Sequence, residues 1–261
     1  MISDLPDELS MLTNIKQLYM NNNSLSNLPL SLTALRHLQE LELSHNSFKH
    51  VPDAVAELTE LTLLSITNNG ITMIPSSIGQ LTNLQQLCLY ANTLTELPSG
   101  LFECTNLTRL TAGTNFIQVI PPEISKLVNL RILFVTSNLI TTIPDEFSHL
   151  SNLEEVYLHT NKITEIPSWI GNLTKLNKIK FYLNDLHNLP DSLGKLDQLT
   201  QLDASQNKIA TIPDSFGNLT KLQVLNLASN KLTGKRTFKR NIFLTFFFCR
   251  YPMCRVYDFI T

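Results

Sequence analysis

The side chains best equipped for covalent or acid–base chemistry in this chain are six histidines, His37, His45, His50, His149, His159 and His187, and four cysteines, Cys88, Cys104, Cys249 and Cys254. Their spacing builds no reaction centre. No two histidines form an H-x-x-x-H pair that would set two imidazoles on one helix face for a metal, and no glycine-rich loop is arranged to cradle a phosphate. Cys249-x4-Cys254 lacks the further Cys or His partners of a metal motif. Catalytic, cofactor and metal residues are therefore read as none. What remains is non-covalent chemistry. Ile132, Phe134, Glu155, Tyr157, His159, Lys180 and Tyr182 interleave apolar rings with charges, the make-up of an interface centre with a polar rim.

The spacing of the whole chain is what brings those residues together. Ten prolines, from Pro6 to Pro213, fall 23 residues apart without a slip, and ten asparagines from Asn23 to Asn230 keep the same step. A fixed period of this length means one supersecondary unit stacked on copies of itself. Leu38 to Glu60 reads L-x-x-L-x-L-x-x-N-x-F-x-x-V-P-x-x-V-x-x-L. The L-x-L core alternates with period two and predicts a short strand, leucines inward and x residues outward. After the proline, Pro75-x-x-Ile78-x-x-Leu81 steps by three, which suits a turn of α or 3₁₀ helix begun by a proline whose missing N–H would be an orphan anyway. The repeated asparagine has a structural reading first, because one amide can donate to and accept from the bare backbone of adjacent turns. One unit cannot repay the ordering of its own backbone, so neighbours must cover its two open faces.

These residues resemble the leucine-rich repeats over roughly residues 1–234, since L-x-x-L-x-L-x-x-N recurs in ten frames. The 23-residue length with I/L-P after the asparagine looks most like the intracellular repeats of Ras-binding scaffolds and Ras-suppressor-like proteins. The resemblance implies an α/β fold: a right-handed solenoid with a parallel sheet on the concave face and short α or 3₁₀ pieces on the convex face. By the same resemblance the first partners to consider are a Ras-type small GTPase and a protein phosphatase catalytic subunit. Lys178-Ile179-Lys180-Phe181 also fits the basic-Val/Ile-x-Phe docking motif of type 1 phosphatase partners. Ile179 and Phe181, however, occupy inward columns and are expected to be buried.

The repeat dictates its inward columns and leaves the outward ones free, so the outward ones carry the information. The middle outward column runs Tyr19, Glu42, Ser65, Cys88, Thr111, Phe134, Tyr157, Lys180, Asp203 and Asn226. Adjacent strands lie about 4.8 Å apart, so neighbours in this series touch. Phe134 and Tyr157 are expected to stack, with Ile132 and Tyr182 on the flanking columns, and Phe116 and Leu139 to extend the apolar surface along one rim. Glu155 beside Lys178 and Lys180 beside Asp203 read equally as lateral ion pairs worth about 0–1 kcal/mol. Of the histidines, His45 and His159 are expected on the outward face.

The formal net charge is −2 and unevenly placed: residues 1–234 hold 14 Lys+Arg against 21 Asp+Glu, and residues 235–261 hold 6 against 1. No nucleic-acid footprint sits on the array. The chain opens with acidic residues where a secretory signal would need basic ones, and its cysteines form no capping set, which points to a reducing, cytoplasmic setting. It begins in the second half of a repeat, and the period stops after Gly234. The basic, phenylalanine-rich segment 235–261 has three open readings: a cap on the last repeat, a contact with an acidic membrane surface, or a mistranslated stretch. Its apolar run is too short to span a bilayer. The leading functional reading is a scaffold that binds a signalling protein on its concave face. The alternatives are a regulatory or targeting region of a larger enzyme such as a phosphatase or kinase and, less favoured, an extracellular recognition receptor.

Overall fold

The computed structural model describes residues 1–233. The C-terminal segment, with its three readings, lies outside the described residues. Ten three-residue strands, β1 (Gln17–Tyr19), β2 (Glu40–Glu42), β3 (Leu63–Ser65), β4 (Gln86–Cys88), β5 (Arg109–Thr111), β6 (Ile132–Phe134), β7 (Glu155–Tyr157), β8 (Lys178–Lys180), β9 (Gln201–Asp203) and β10 (Val224–Asn226), form one parallel sheet in chain order. The register shifts by one whole repeat per strand, so Phe134 faces Tyr157 and Tyr157 faces Lys180. The result is the right-handed leucine-rich-repeat solenoid that the resemblance implied.

Each strand is preceded on the convex side by a five-residue 3₁₀ turn, such as Ser76–Gln80 or Ser168–Asn172. The apolar step of three selects this geometry over an α-helix. At three residues per turn, Ile78 and Leu81 eclipse on one side, and both are buried. The prolines sit one place earlier than expected. They are the N-cap, with extended backbone (φ −68°, ψ 149° at Pro75), and not the first helical residue. Pro has no N–H to give at that position, and its carbonyl accepts the first helical bond, as from Ile78 N–H to Pro75 O at 3.1 Å. Among the described residues only Pro122 occupies the first helical position, directly after N-cap Pro121.

The asparagine column does what its amide chemistry promised. Asn138 Nδ2 donates to Ala112 O (3.0 Å), Val135 O (3.1 Å) and Thr136 O (3.1 Å), while its Oδ1 accepts the N–H of Ile117 (2.9 Å). The residue just before each of the ten asparagines adopts a positive φ, 51° to 58°, and none is glycine. Asn22 and Asn68 tolerate that region easily. Thr114, Thr160 and Leu183 hold it because the asparagine bonds and the sheet on either side leave the chain no other path. A second amide row runs along the N-terminal ends of the strands: Asn83, Asn106, Asn129 and Asn152 each donate to the carbonyl 24 residues earlier, at 2.8–3.0 Å.

The core is one continuous apolar cluster threaded by the inward columns, with Phe48, Phe102, Phe147, Phe181 and Phe216 fully buried. It thins at both ends of the described region, where Ile15, Leu222, Leu225 and Leu232 are only partly covered. On the convex side the turns approach closely. A Cβ on Gly100 would lie 2.0 Å from Ser76 O, whereas one on Gly217 would meet nothing within 4 Å. Among the described residues no helix is long and apolar enough to cross a membrane.

Candidate functional site

The outward residues of β4 to β8 converge on a cluster of rings. Phe134 is its hub. Its centroid lies 5.1 Å from Tyr157 with the planes tilted by 41°, 6.2 Å from Tyr90 edge-on, and 6.0 Å from His159 edge-on. His159 in turn stacks on Tyr182 at 4.1 Å, 10° from parallel. Aromatic pairs at these separations add about 0.5–1.5 kcal/mol each beyond area burial, so the surface is pre-ordered before any partner arrives.

The structure gives His159 a different place from its neighbours. Ile132, Phe134, Tyr157, Lys180 and Tyr182 are half-buried with faces open to the concave side, but His159 is only 6% exposed. Flanked by Phe134 and Tyr182, and reaching Tyr182 Oη through Nε2 at 3.4 Å, its imidazole fixes the rings that a partner would touch and has little surface of its own to offer. His45 is not on a strand face either. It occupies the left-handed turn position, φ 57°, and its Nδ1 lies 2.6 Å from Asn68 Nδ2.

Charges are ordered around the rings. Tyr157 Oη donates to Glu155 Oε2 (2.6 Å), and Lys178 Nζ meets Glu155 Oε1 at 2.9 Å. Burial pushes the Glu155 carboxyl up, but the bonds from Tyr157 and Lys178 and the charges of Lys178 and Arg109 outweigh it and hold the carboxyl below its ordinary range. Lys180 Nζ sits 5.4 Å from the centre of the Tyr157 ring, within cation–π reach, and lies in register beside Asp203.

Two residues of the cluster escaped the sequence reading, Tyr90 and Gly113. A Cβ on Gly113 would lie 3.1 Å from Phe134 Cε1, 3.1 Å from Tyr90 Cδ2 and 2.8 Å from Thr136 Oγ1. The bare backbone there is what lets the two rings close over β5. The signal was present as a glycine in an outward column flanked by aromatics two columns apart. Phe116, 51% exposed, and Leu183, 42% exposed, extend apolar surface from the cluster toward the rim, with Leu139 half-buried between them.

Among the described residues no other chemistry is assembled. Ile179 and Phe181 are fully buried, so the phosphatase-type docking motif cannot present its anchors. Cys104 lies in the core, where burial pushes its thiol up to about 11, and Cys88 is also raised by burial; neither is an activated nucleophile. Among the described residues no group of three or more His, Cys, Asp or Glu could hold a metal. A shallow polar groove of about 660 Å³ runs along the second amide row, lined by Gln85, Asn106, Thr108, Asn129, Arg131, Asn152, Glu154 and Lys175.

Sequence comparison agrees with the architecture. Family models match residues 3–112 (leucine-rich repeat region), 105–163 (leucine rich repeat) and 197–235 (leucine rich repeats, two copies). With the ten-strand solenoid these define a leucine-rich-repeat protein. Among solved structures the chain is similar to an internalin from Listeria monocytogenes, with 27% identity, a TM-score of 0.80 and coverage of 88% of this chain and 66% of that one. It is also similar to the ectodomain of the Arabidopsis receptor kinase HAESA in complex with the peptide hormone IDA, with 31% identity, a TM-score of 0.76 and coverage of 88% and 40%. A plant peptide hormone receptor, RGFR1, in complex with RGF2 shares 30% identity with a TM-score of 0.72 and coverage of 88% and 42%. The chain thus spans about two thirds of the internalin and about two fifths of the plant receptors. No curated protein sequence matches it.

Proposed function

We propose that this protein is an interaction scaffold that binds a signalling protein on its concave face, with Phe134, Tyr157 and Tyr182 at the centre of contact and Ile132, Glu155 and Lys180 around it. The observation that carries this reading is the pre-ordered ring cluster of repeats four to eight, on positions the repeat leaves free. Buried aromatic anchors ringed by paired charges are where interface energy concentrates. Two of the similar solved structures are complexes with peptide hormones, which supports a polypeptide partner. The resemblance of the 23-residue repeat to Ras-binding scaffolds keeps a Ras-type small GTPase and a phosphatase catalytic subunit as the first proteins to test. A cytoplasmic setting fits the free thiols of Cys88 and Cys104. A second reading, the regulatory or targeting region of a larger enzyme, is favoured by one observation: the HAESA ectodomain belongs to a receptor kinase, and the chain spans 40% of it.

The test is a double substitution, Phe134→Ala with Tyr157→Ala. Binding to the partner weakens by at least about 2 kcal/mol if these rings are hot spots. The fold persists, because only the ring contacts, about 0.5–1.5 kcal/mol per pair, are lost. Quantitative pull-downs with the wild-type and doubly substituted chains identify the partner, and titration with a parallel circular-dichroism melt measures the effect. Undiminished binding by a folded double variant refutes the concave site and moves attention to the rim at Phe116.

A further inference from the structure

The outward strand positions of the ring cluster carry three cations, and two are already occupied. Lys178 is paired with Glu155, and Lys180 lies over Tyr157 beside Asp203. Arg109 differs. Its register neighbours are Gln86 on β4 and Ile132 on β6, both uncharged, and among the described residues no carboxylate pairs with it. Its charge is felt by Glu155 two strands away without forming a bond. A half-buried guanidinium beside apolar surface is poorly hydrated and has a planar fork of donors unfilled, which is where a carboxylate gains most from a bidentate contact.

The relief of the surface leads to the same place. Beyond Arg109, β5 and its continuation present only Thr111 and Gly113, the first nearly buried and the second without a side chain. Arg109 therefore stands at the open end of a short low strip, flanked by Cys88 and Ile132, that ends where the Tyr90 and Phe134 rings close over Gly113. An extended segment running from Arg109 onto the Phe134 ring places alternate side chains about 6.8 Å apart, matching the step from the Arg109 position to the Phe134 position along the strand direction.

We infer that Arg109 anchors a side-chain carboxylate of the partner, and that the partner docks through an extended acidic–apolar segment with Asp or Glu two residues from a leucine or aromatic anchor seated on Phe134 and Tyr157. This rests on the concave-face reading above and names the chemistry it selects. The array as a whole is acidic, with 14 cationic against 21 anionic side chains over residues 1–234. An acidic segment is therefore admitted only where a cation is left over, and Arg109 sets both the register and the selectivity of the contact.

The experiment uses synthetic nine-residue peptides with a central Asp-x-Leu or Asp-x-Phe in a Gly/Ser background, and matched peptides with Asn for Asp. Binding is read by fluorescence polarisation against the full chain, its Arg109→Gln variant and the Phe134→Ala/Tyr157→Ala variant, with melts confirming the fold of each. The wild-type chain is expected to prefer the Asp peptides by about tenfold or more, and added salt is expected to erode that preference. Arg109→Gln is expected to abolish the preference while keeping the weaker binding of the Asn series, and Arg109→Lys to restore part of it. The ring variant is expected to weaken both series alike. Equal binding of Asp and Asn peptides, no binding of either by the wild-type chain, or a preference that survives Arg109→Gln overturns the inference. If Arg109→Gln has no effect but the ring variant loses binding, the concave site stands and the carboxylate anchor falls. If the ring variant binds normally while Arg109→Gln loses selectivity, the anchor stands and the aromatic site falls.

Discussion

Asn138→Ala removes four hydrogen bonds, but their partners do not suffer equally. Ala112 O still accepts from Asn115 Nδ2 at 3.1 Å, Val135 O from Asn161 Nδ2 at 3.0 Å, and Thr136 O from the N–H of Thr114 at 2.8 Å. The Ile117 N–H has no second acceptor and is left orphaned inside a buried turn. The expected cost is therefore that of one unsatisfied buried donor, about 1–3 kcal/mol, and not four times that figure. With a urea slope of about 3 kcal/mol per molar for a chain of this size, the midpoint falls by roughly 0.3–1 M. Asn138→Asp separates this account from mere loss of packing. The carboxylate still accepts from Ile117 but confronts three carbonyl oxygens with no donor, so it is expected to cost more than alanine. At the end of the array, Asn23 bonds the exposed segment at Ile2, and Asn23→Ala is expected to cost clearly less than Asn138→Ala. Urea titrations of the three variants decide the matter: an unchanged midpoint for Asn138→Ala, or an aspartate better tolerated than alanine, refutes the reasoning.

The convex turns yield a matched pair. Gly100→Ala forces a methyl against the Ser76 backbone, which cannot yield cheaply, and is expected to lose about 1–3 kcal/mol; Gly217→Ala meets open space and is expected to be neutral or to gain about 0.4–1 kcal/mol through the unfolded state, both read from denaturant midpoints. Glu155 supplies a pH dependence of known sign. Its folded pKa is depressed, so its contribution to stability is present above the ordinary carboxylate range and is lost as pH falls through the lowered folded value. Lys178→Met removes the cation paired with Glu155 and is expected to raise the Glu155 titration seen by carboxyl NMR and to shrink the acid-side loss of stability; an unshifted titration contradicts the assignment.

Much of this was legible in the chain because a 23-residue period converts sequence position into spatial position. Once Leu38 and Leu61 are known to be equivalent, the pairing of Phe134 with Tyr157 follows without any calculation of energy. The asparagine bonds were legible too, since an amide at a fixed place in a turn has one use. The convex turns were legible only as far as their step of three, and the prolines were placed one residue too far in, because a proline at the first helical position and one at the N-cap leave the same mark on the sequence. The burial of His159 depends on how its ring and that of Tyr182 rotate onto each other, and column membership says nothing about rotation. Nor do residue types betray the left-handed positions. Thr114 and Leu183 are poor choices for positive φ, held there by the bonds of the asparagine that follows each. Gly113 was easy to pass over for the opposite reason, since its contribution is the side chain it lacks.

Because the ten strands lie in chain order, every hydrogen bond between them points along the long axis of the solenoid. A pull on the two ends therefore opens those bonds one strand at a time, like a zip, and never loads several in shear. Each released repeat of 23 residues pays out roughly 75 Å of chain in place of one strand spacing of about 4.8 Å. The array is thus weak as a tether and long in reach: under tension the described repeats yield first where the core is thinnest, at either end of the array, and the ring cluster of repeats four to eight lies inside both.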